Sequence, residues 1–231
     1  MSDVGQAGSL ELRGALRHPL PATTEVILVR HGRTHANVSG VLQGTMDVPL
    51  DDHGIAQAER AAARIAAQYQ LDHVVSSPLQ RARTTAEIIA RHHPVPFQLH
   101  DGLKEMSFGI YEGMKWNAVR ELDPQLAARF DDLDDYHATW PGGDQRRQFY
   151  DRVWSVLEEI VEQHPHRRVL VVAHGGVIGA LMAMLREESP NDPAIYGLRN
   201  CSITHLEVTS DHTVVHRYND VEHLADLEEG G

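Results

Sequence analysis

The chain has 231 residues, 42% of them apolar and 23% charged, which excludes general disorder and leaves ample apolar surface for one large core. A formal net charge of −12 argues against non-specific attachment to nucleic acid or to an anionic membrane, so an anionic ligand would need local positive charge. Cys201 is the single cysteine; no intrachain disulfide and no thiolate metal cluster can form, and a cytoplasmic location is expected.

Residues 1–23 lack a signal-like apolar stretch and are expected to be a disordered extension, with one domain over 24–231. "EVILVR" (25–30) is a continuous aliphatic run of the kind found in strands covered on both faces. Residues 54–70 place Ile55, Ala58, Ala62, Ile65 and Tyr69 three or four apart, one apolar helical stripe. "HVVSSP" (73–78) predicts a second buried strand, with Pro78 opening the helix that follows. A short strand is expected near 97–99. The stretch 104–143 is a long irregular connection, of a kind that is functional or holds short helices of its own.

From Asp144 to about His164 a helix is predicted, capped by Asp144 and apolar at Phe149, Val153, Val156 and Ile160. "VLVVAHGGVIGALMAML" (169–185) is short for a membrane span and is broken by His174 and a Gly-Gly pair. It divides better into a buried strand, a turn and a buried helix. "SITHLEV" and "TVVHRYN" predict a closing hairpin. Strands alternating with helices imply an α/β fold: a three-layer α/β/α sandwich with a mainly parallel sheet and helices on both faces.

In such folds ligands bind at the carboxyl ends of the strands. The three strong strands end there in Arg30-His31-Gly32, in Ser76-Ser77-Pro78 with Arg81 just beyond, and in His174-Gly175-Gly176. Singly, each residue has a structural explanation. Together they put two guanidinium forks, two imidazoles and two helix amino termini at one edge, which is an anion pocket. Gly32, Gly175 and Gly176 let backbone approach the anion closely. His31 and His35 stand four apart, but no His-Glu-x-x-His helix exists, so zinc chemistry is not indicated. His35, His53, His73, His92 and His93 are expected at the surface.

"VRHGRTHAN" resembles the Arg-His-Gly signature of the histidine phosphatase superfamily, the phosphoglycerate mutase-like family. "GTMDVPLDDHGIAQA" (44–58), "SSPLQRARTTA" (76–86), "LKEMSFGIYEG" (103–113), "PGG" (141–143), "VAHGGVIGAL" (172–181) and "YNDVEHL" (218–224) are similar to further motifs of that family, in the family's order. The resemblance spans about residues 25–224. It implies that His31 is a nucleophile forming a phosphohistidine, and that Arg30, Arg81 and His174 hold the phosphate. It also implies that Glu105 is the proton donor and later the base, with Asn37, Gly44 and Gly175 bordering the phosphate.

No metal or organic cofactor is implied. The implied partner is a small phosphorylated metabolite, with no nucleic acid and no membrane; many members dimerise, which makes the chain a candidate homodimer.

The expected activity is that of a phosphatase on a small phosphomonoester. The alternatives are a 2,3-bisphosphoglycerate-dependent mutase, whose longer loop motifs are missing from 104–143, and a non-catalytic phosphate-binding module. A nucleophilic histidine needs its second ring nitrogen donated to a fixed acceptor. A carboxylic acid that protonates an alkoxide needs a partly apolar surrounding, and Met106, Phe108 and Tyr111 stand near Glu105. Glu112 is the nearby competitor. Family members often carry Glu or Gln where Arg33 stands, so Arg33 is either a charge at the rim of the site or a loop arginine. Substrate recognition is expected in 104–143, with Arg33, Trp116, Tyr136 and Trp140 as its candidates.

Overall fold

Successive strand residues face opposite sides of a sheet, so a run apolar at every position needs cover on both sides. The structure, a computed structural model, describes residues 10–12, 23–132, 134–186, 197–209 and 212–228. The three apolar runs become β2 (Thr24–Arg30), β3 (His73–Ser76) and β5 (Arg168–Ala173). With β1 (Leu10–Leu12), β4 (Phe97–Leu99), β6 (Ile203–Val208) and β7 (Thr213–Asp220) they form one sheet of order β1-β7-β6-β2-β5-β3-β4.

β2, β5, β3 and β4 pair in parallel, whereas β6 runs against β2, β7 against β6 and β1 against β7. Five strands (β2 to β5 and β7) therefore share one direction, and the expected mainly parallel sheet is a mixed one. Its antiparallel ladders all lie on one side of β2. β1 falls within the segment expected to be an extension; residues 1–9 and 13–22 lie outside the described residues.

The helices are α1 (His35–Ser39), α2 (Asp52–Gln68), α3 (Gln80–Ala90), α4 (Trp116–Leu122), α5 (Pro124–Asp131), α6 (Arg146–Gln163) and α7 (Gly175–Arg186), with a last short turn of helix at Ala225–Glu228. Ile27, Val29, Val74, Leu170 and Val172 pack on Ala58, Ala62, Ile65, Ala86 and Ile89 of α2 and α3. Val26, Leu28, Val75, Val169 and Val171 pack on Phe149, Val153, Leu157, Val177 and Leu181 of α6 and α7. Each such aliphatic side chain contributes about 1.5–3 kcal/mol by leaving water, which fixes the sheet between its two helical layers. The segment 104–143 has its own small core of Tyr111, Val119, Leu126 and Trp140, around which α4 and α5 fold.

Three local expectations are corrected. Ile55 belongs by spacing to the α2 stripe but is exposed. α3 begins at Gln80, two residues after Pro78, because Ser77 Oγ first accepts the Leu79 N–H and the Asp47 carboxylate takes the Gln80 N–H at 2.6 Å. Asp144 does not cap α6; Gln145 occupies that position without a side-chain cap, while the Asp144 carboxylate accepts the Ser107 N–H and pairs with Arg152. Among the described residues no helix is long and apolar enough to cross a membrane, and residues 169–185 divide into β5 and α7.

Candidate active site

The parallel ladder brings the three strand ends into register: Arg30 lies beside Ala173 and Ser76 beside Val172. The ladder continues one step further, with His31 N–H donating to the Ala173 carbonyl and Ser77 N–H to the Val172 carbonyl, both at 3.0 Å. His31 and His174 consequently meet, their ring centroids 5.2 Å apart and the planes inclined at 58°. Two residues past the end of β2, Gly32 lies against the first turn of α2: a Cβ there would sit 2.4 Å from the Gly54 carbonyl oxygen. The Gly32 N–H is taken by Thr85 Oγ1 of α3.

His31 is buried, and its Nδ1 lies 2.7 Å from the Gly32 carbonyl. A carbonyl can only accept, so the ring proton sits on Nδ1 and the lone pair on Nε2. Burial holds the His31 pKa well below the usual 6.5, the charges of Arg30 and Arg81 press the same way, and the Gly32 carbonyl opposes them. His174 is also neutral: burial, then Arg81, His31 and Arg30, keep it well below 6.5. His174 Nε2 is 2.8 Å from Ser77 Oγ, and its Nδ1 is buried without a partner among the described residues. The hydroxyl can donate to Nε2, which puts the ring proton on the free Nδ1.

The two arginines are held by backbone. Arg81 is fully buried at the start of α3 and donates to the carbonyls of Gly44 and Met46, both at 2.7 Å. Arg30 Nη1 donates to the Leu198 carbonyl. Burial lowers both guanidinium pKa values below the ordinary arginine value, and the Glu105 carboxylate acts against that shift in both. Arg30 Nε and Arg81 Nε are buried and, among the described residues, unpaired. Three buried donors, one on each of Arg30, Arg81 and His174, thus surround a neutral imidazole. A buried unpaired donor costs about 1–3 kcal/mol, which an anion's oxygens would recover.

Glu105 follows a short 3-10 turn, Asp101–Leu103, and its two carboxyl oxygens accept N–H groups from Met106 and Gly176. Glu105 and Gly176 also line a pocket of about 250 Å³, together with Met106, Phe108, Phe130, Trp140, Phe149, Tyr150 and Arg146. Glu112 turns elsewhere. Its Oε1 accepts from Thr45 N and Thr45 Oγ1 at 2.9 Å and from Ser107 Oγ and Phe108 N at 3.2 Å, pinning the 44–46 loop to 107–112.

The family model described as histidine phosphatase superfamily (branch 1) matches residues 26–221. The chain belongs to the histidine phosphatase superfamily. It is an enzyme of the phosphatase and mutase class. It is 32% identical over 206 residues to a metal-independent phosphoserine phosphatase of Arabidopsis thaliana, covering 88% of this chain and 84% of that one. The crystal structure of a phosphoserine phosphatase mutant from Entamoeba histolytica in complex with phosphoserine superposes with a TM-score of 0.77, at 29% identity, over 87% of this chain and 99% of that one. The phosphoserine phosphatase from the same organism in complex with 3-phosphoglyceric acid gives a TM-score of 0.74 at 29% identity, with the same coverage.

Within this superfamily fold, Arg30, His31, Arg81, Glu105 and His174 come together: the two guanidiniums act on both imidazoles, and the Glu105 carboxylate acts on both guanidiniums. Gly175 is the first residue of α7, and its Cβ position lies 3.5 Å from Arg30 Nε. Gly44 bears on the site through the carbonyl it gives to Arg81. The Asn37 side-chain oxygen Oδ1 accepts from Thr34, which caps α1, and from Asn200 Nδ2.

Arg33 is not a free rim charge: its Nε donates to the buried Asp51 carboxylate at 2.9 Å, and Asp51 in turn caps α2 through the Gly54 N–H. Tyr111 bonds Asp123 rather than lining the Glu105 pocket. Trp140 lines that pocket; Trp116 packs edge-on against it and Tyr136 is exposed. Of the histidines expected at the surface, His93 is buried and His73 packs against His164, the rings tilted by 34°.

Sequence reasoning missed Asn200 and assigned no task to Ser77. Asn200 Nδ2 donates to the His31 carbonyl at 3.0 Å, and Cys201 N–H donates to the Arg30 carbonyl at 3.0 Å. These contacts reach back about 170 positions in sequence, and no local pattern announces them. A strand-end serine did carry a signal, since it stood beside an expected anion pocket.

Proposed function

We propose that the chain is a metal-independent phosphatase that hydrolyses a small phosphomonoester through a phosphohistidine on His31. The observation that carries this reading is the set of unpaired buried donors on Arg30, Arg81 and His174, grouped around a neutral His31 with a free Nε2. Similar proteins that bind phosphoserine and 3-phosphoglyceric acid support a small phosphorylated substrate. The buried Cys201 thiol fits a reducing cytoplasm as the compartment.

Phosphate oxygens take the free donors of Arg30, Arg81 and His174, which also meet the charge that develops during transfer. The Nε2 lone pair of His31 attacks phosphorus, and the bond from phosphorus to the ester oxygen breaks. The electron pair leaves with that oxygen, which takes the proton of Glu105. The Nδ1–H bond to the Gly32 carbonyl stabilises the positive charge gained by the ring. In the second half the Glu105 carboxylate removes a proton from water. The resulting hydroxide attacks phosphorus, the N–P bond breaks and its electron pair returns to Nε2. Splitting hydrolysis into two displacements is what the histidine contributes.

The test is rapid alkaline quench with radiolabelled aryl phosphate. The expected result is a protein-bound phosphate that is stable in base, labile in acid and missing from His31→Ala, which keeps its fold and loses turnover. Full turnover by His31→Ala, or loss of the wild-type enzyme's turnover on treatment with EDTA, would overturn the proposal. Interconversion of phosphoglycerates faster than phosphate release would make the enzyme a mutase instead.

A further inference from the structure

The pocket beyond Glu105 is where the leaving alcohol of a phosphomonoester would sit, and its lining is chemically one-sided. Phe108, Phe130, Trp140, Phe149, Tyr150 and Met106 supply ring faces, ring edges and a thioether. Phe130 stacks on Trp140 at 4.2 Å and Phe108 meets it edge-on at 5.1 Å, so the wall is a preformed aromatic surface.

Arg146 is the one cation among the described lining residues, and its two terminal nitrogens are held by backbone. Its terminal nitrogens donate to the carbonyls of Phe130, Asp132 and Asp135, and its face lies over the Phe130 ring. The neighbouring cations are committed as well. Lys104 pairs with Asp101, and Arg152 pairs with Asp144 while donating to the carbonyls of Gly102 and Lys104. Among the described residues, Arg146 is the lining's single cation; backbone oxygens take three of its five N–H donors and its charge bears on the Asp135 carboxylate, so no second cation is present to pair with a substrate carboxylate. The Trp140 indole N–H, buried and unpaired among the described residues, is a neutral donor.

We infer that the enzyme selects phosphomonoesters of uncharged, largely apolar alcohols of about one or two rings, and discriminates against the carboxylate-bearing esters that its relatives bind. This rests on the phosphatase reading above and narrows it to a substrate class. The size follows from the volume: an apolar cavity of about 150 Å³ already takes benzene, and this one holds about 250 Å³. The charge selection follows from desolvation, because a carboxylate here would lose its water without gaining a partner.

The experiment compares alkyl phosphates of similar leaving-group reactivity on the wild-type enzyme: benzyl and cyclohexylmethyl phosphate against phosphoserine and 3-phosphoglycerate. The expected kcat/KM ratio favours the uncharged pair by about tenfold or more, the value of burying one ring. A ratio near one, or favouring the carboxylates, overturns the selectivity while leaving the phosphatase intact. No phosphate release from any of the four, or from an aryl phosphate, defeats the phosphatase reading itself.

Phe130→Lys should reduce or invert the ratio, since it places a free ammonium in the wall. A second measurement needs no variant. Benzylphosphonate should inhibit aryl phosphate hydrolysis competitively and about tenfold more tightly than 3-phosphonopropionate; equal or reversed affinities overturn the inference.

Discussion

Gly176 N–H donates to Glu105 Oε2 at 3.0 Å, and a methyl group added to Gly176 would fall 2.2 Å from Glu105 Oε1. The first turn of α7 therefore sets the position of the proposed acid. The clash involves only the flexible end of a glutamate, so Gly176→Ala should fold normally with its carboxyl displaced. An alkoxide needs that proton and an acidic phenoxide hardly does. The kcat/KM for an alkyl phosphate should fall about 100-fold, and that for p-nitrophenyl phosphate by less than about tenfold. Equal losses on both substrates would remove Glu105 as the acid.

The depressed pKa of His31 makes a prediction about pH. Its unprotonated form is the nucleophile, and burial with Arg30 and Arg81 keeps that form populated below 6.5. After correction for substrate ionisation, the acid limb of kcat/KM should fall below the ordinary imidazole range. A limb centred at or above 6.5 would show that the two guanidiniums do not act on His31 as their proximity requires.

Glu112 holds the loop whose carbonyls hold Arg81. Glu112→Ala removes a charge-assisted acceptor shared by four donors, and the Gly44 and Met46 carbonyls lose their support. The expected outcome is a kcat/KM loss of about 10- to 100-fold, with weaker inhibition by inorganic phosphate. An unchanged phosphate inhibition constant would separate the loop from the guanidinium.

Stability should fall in acid. Burial lowers the pKa of His31, His73, His93, His164, His174, His205 and His223 relative to 6.5. Between each folded value and 6.5 the unfolded chain binds more protons than the folded one, so stability rises with pH across that window. It is complete above 6.5 and lost as pH falls through the folded values. Glu25, Asp72 and Asp220, also lowered, add the same sign at lower pH. Calorimetry should show Tm dropping by about 5 °C or more between about pH 7 and pH 5. A flat or rising Tm on acidification would contradict the burial of these imidazoles.

Much of this protein is legible in its sequence because the information is local. Continuous aliphatic runs marked β2, β3 and β5, and the three- and four-residue spacing marked α2 and α6. Arginines and histidines at or just beyond three strand ends marked the expected pocket, since parallel strands must present those ends together. The ordered motifs added the family and the five residues proposed for the site.

What needed the tertiary structure is whatever depends on partners distant in the chain. Arg33 was ambiguous until Asp51 was found to hold its charge, and Glu112 competed with Glu105 until its oxygen was found on Thr45. The mixed sheet, with β6 antiparallel to β2, follows from which edge the hairpin occupies, and hydrophobic pattern alone does not encode an edge. The protonated nitrogen of His31, the Asn200 amide on its carbonyl and the commitment of Arg146 to three backbone oxygens are decided in the same way. Sequence specifies which groups are available. Only the fold decides which of them already have a partner, and a hydrogen bond or ion pair is set by geometry within about 3–4 Å.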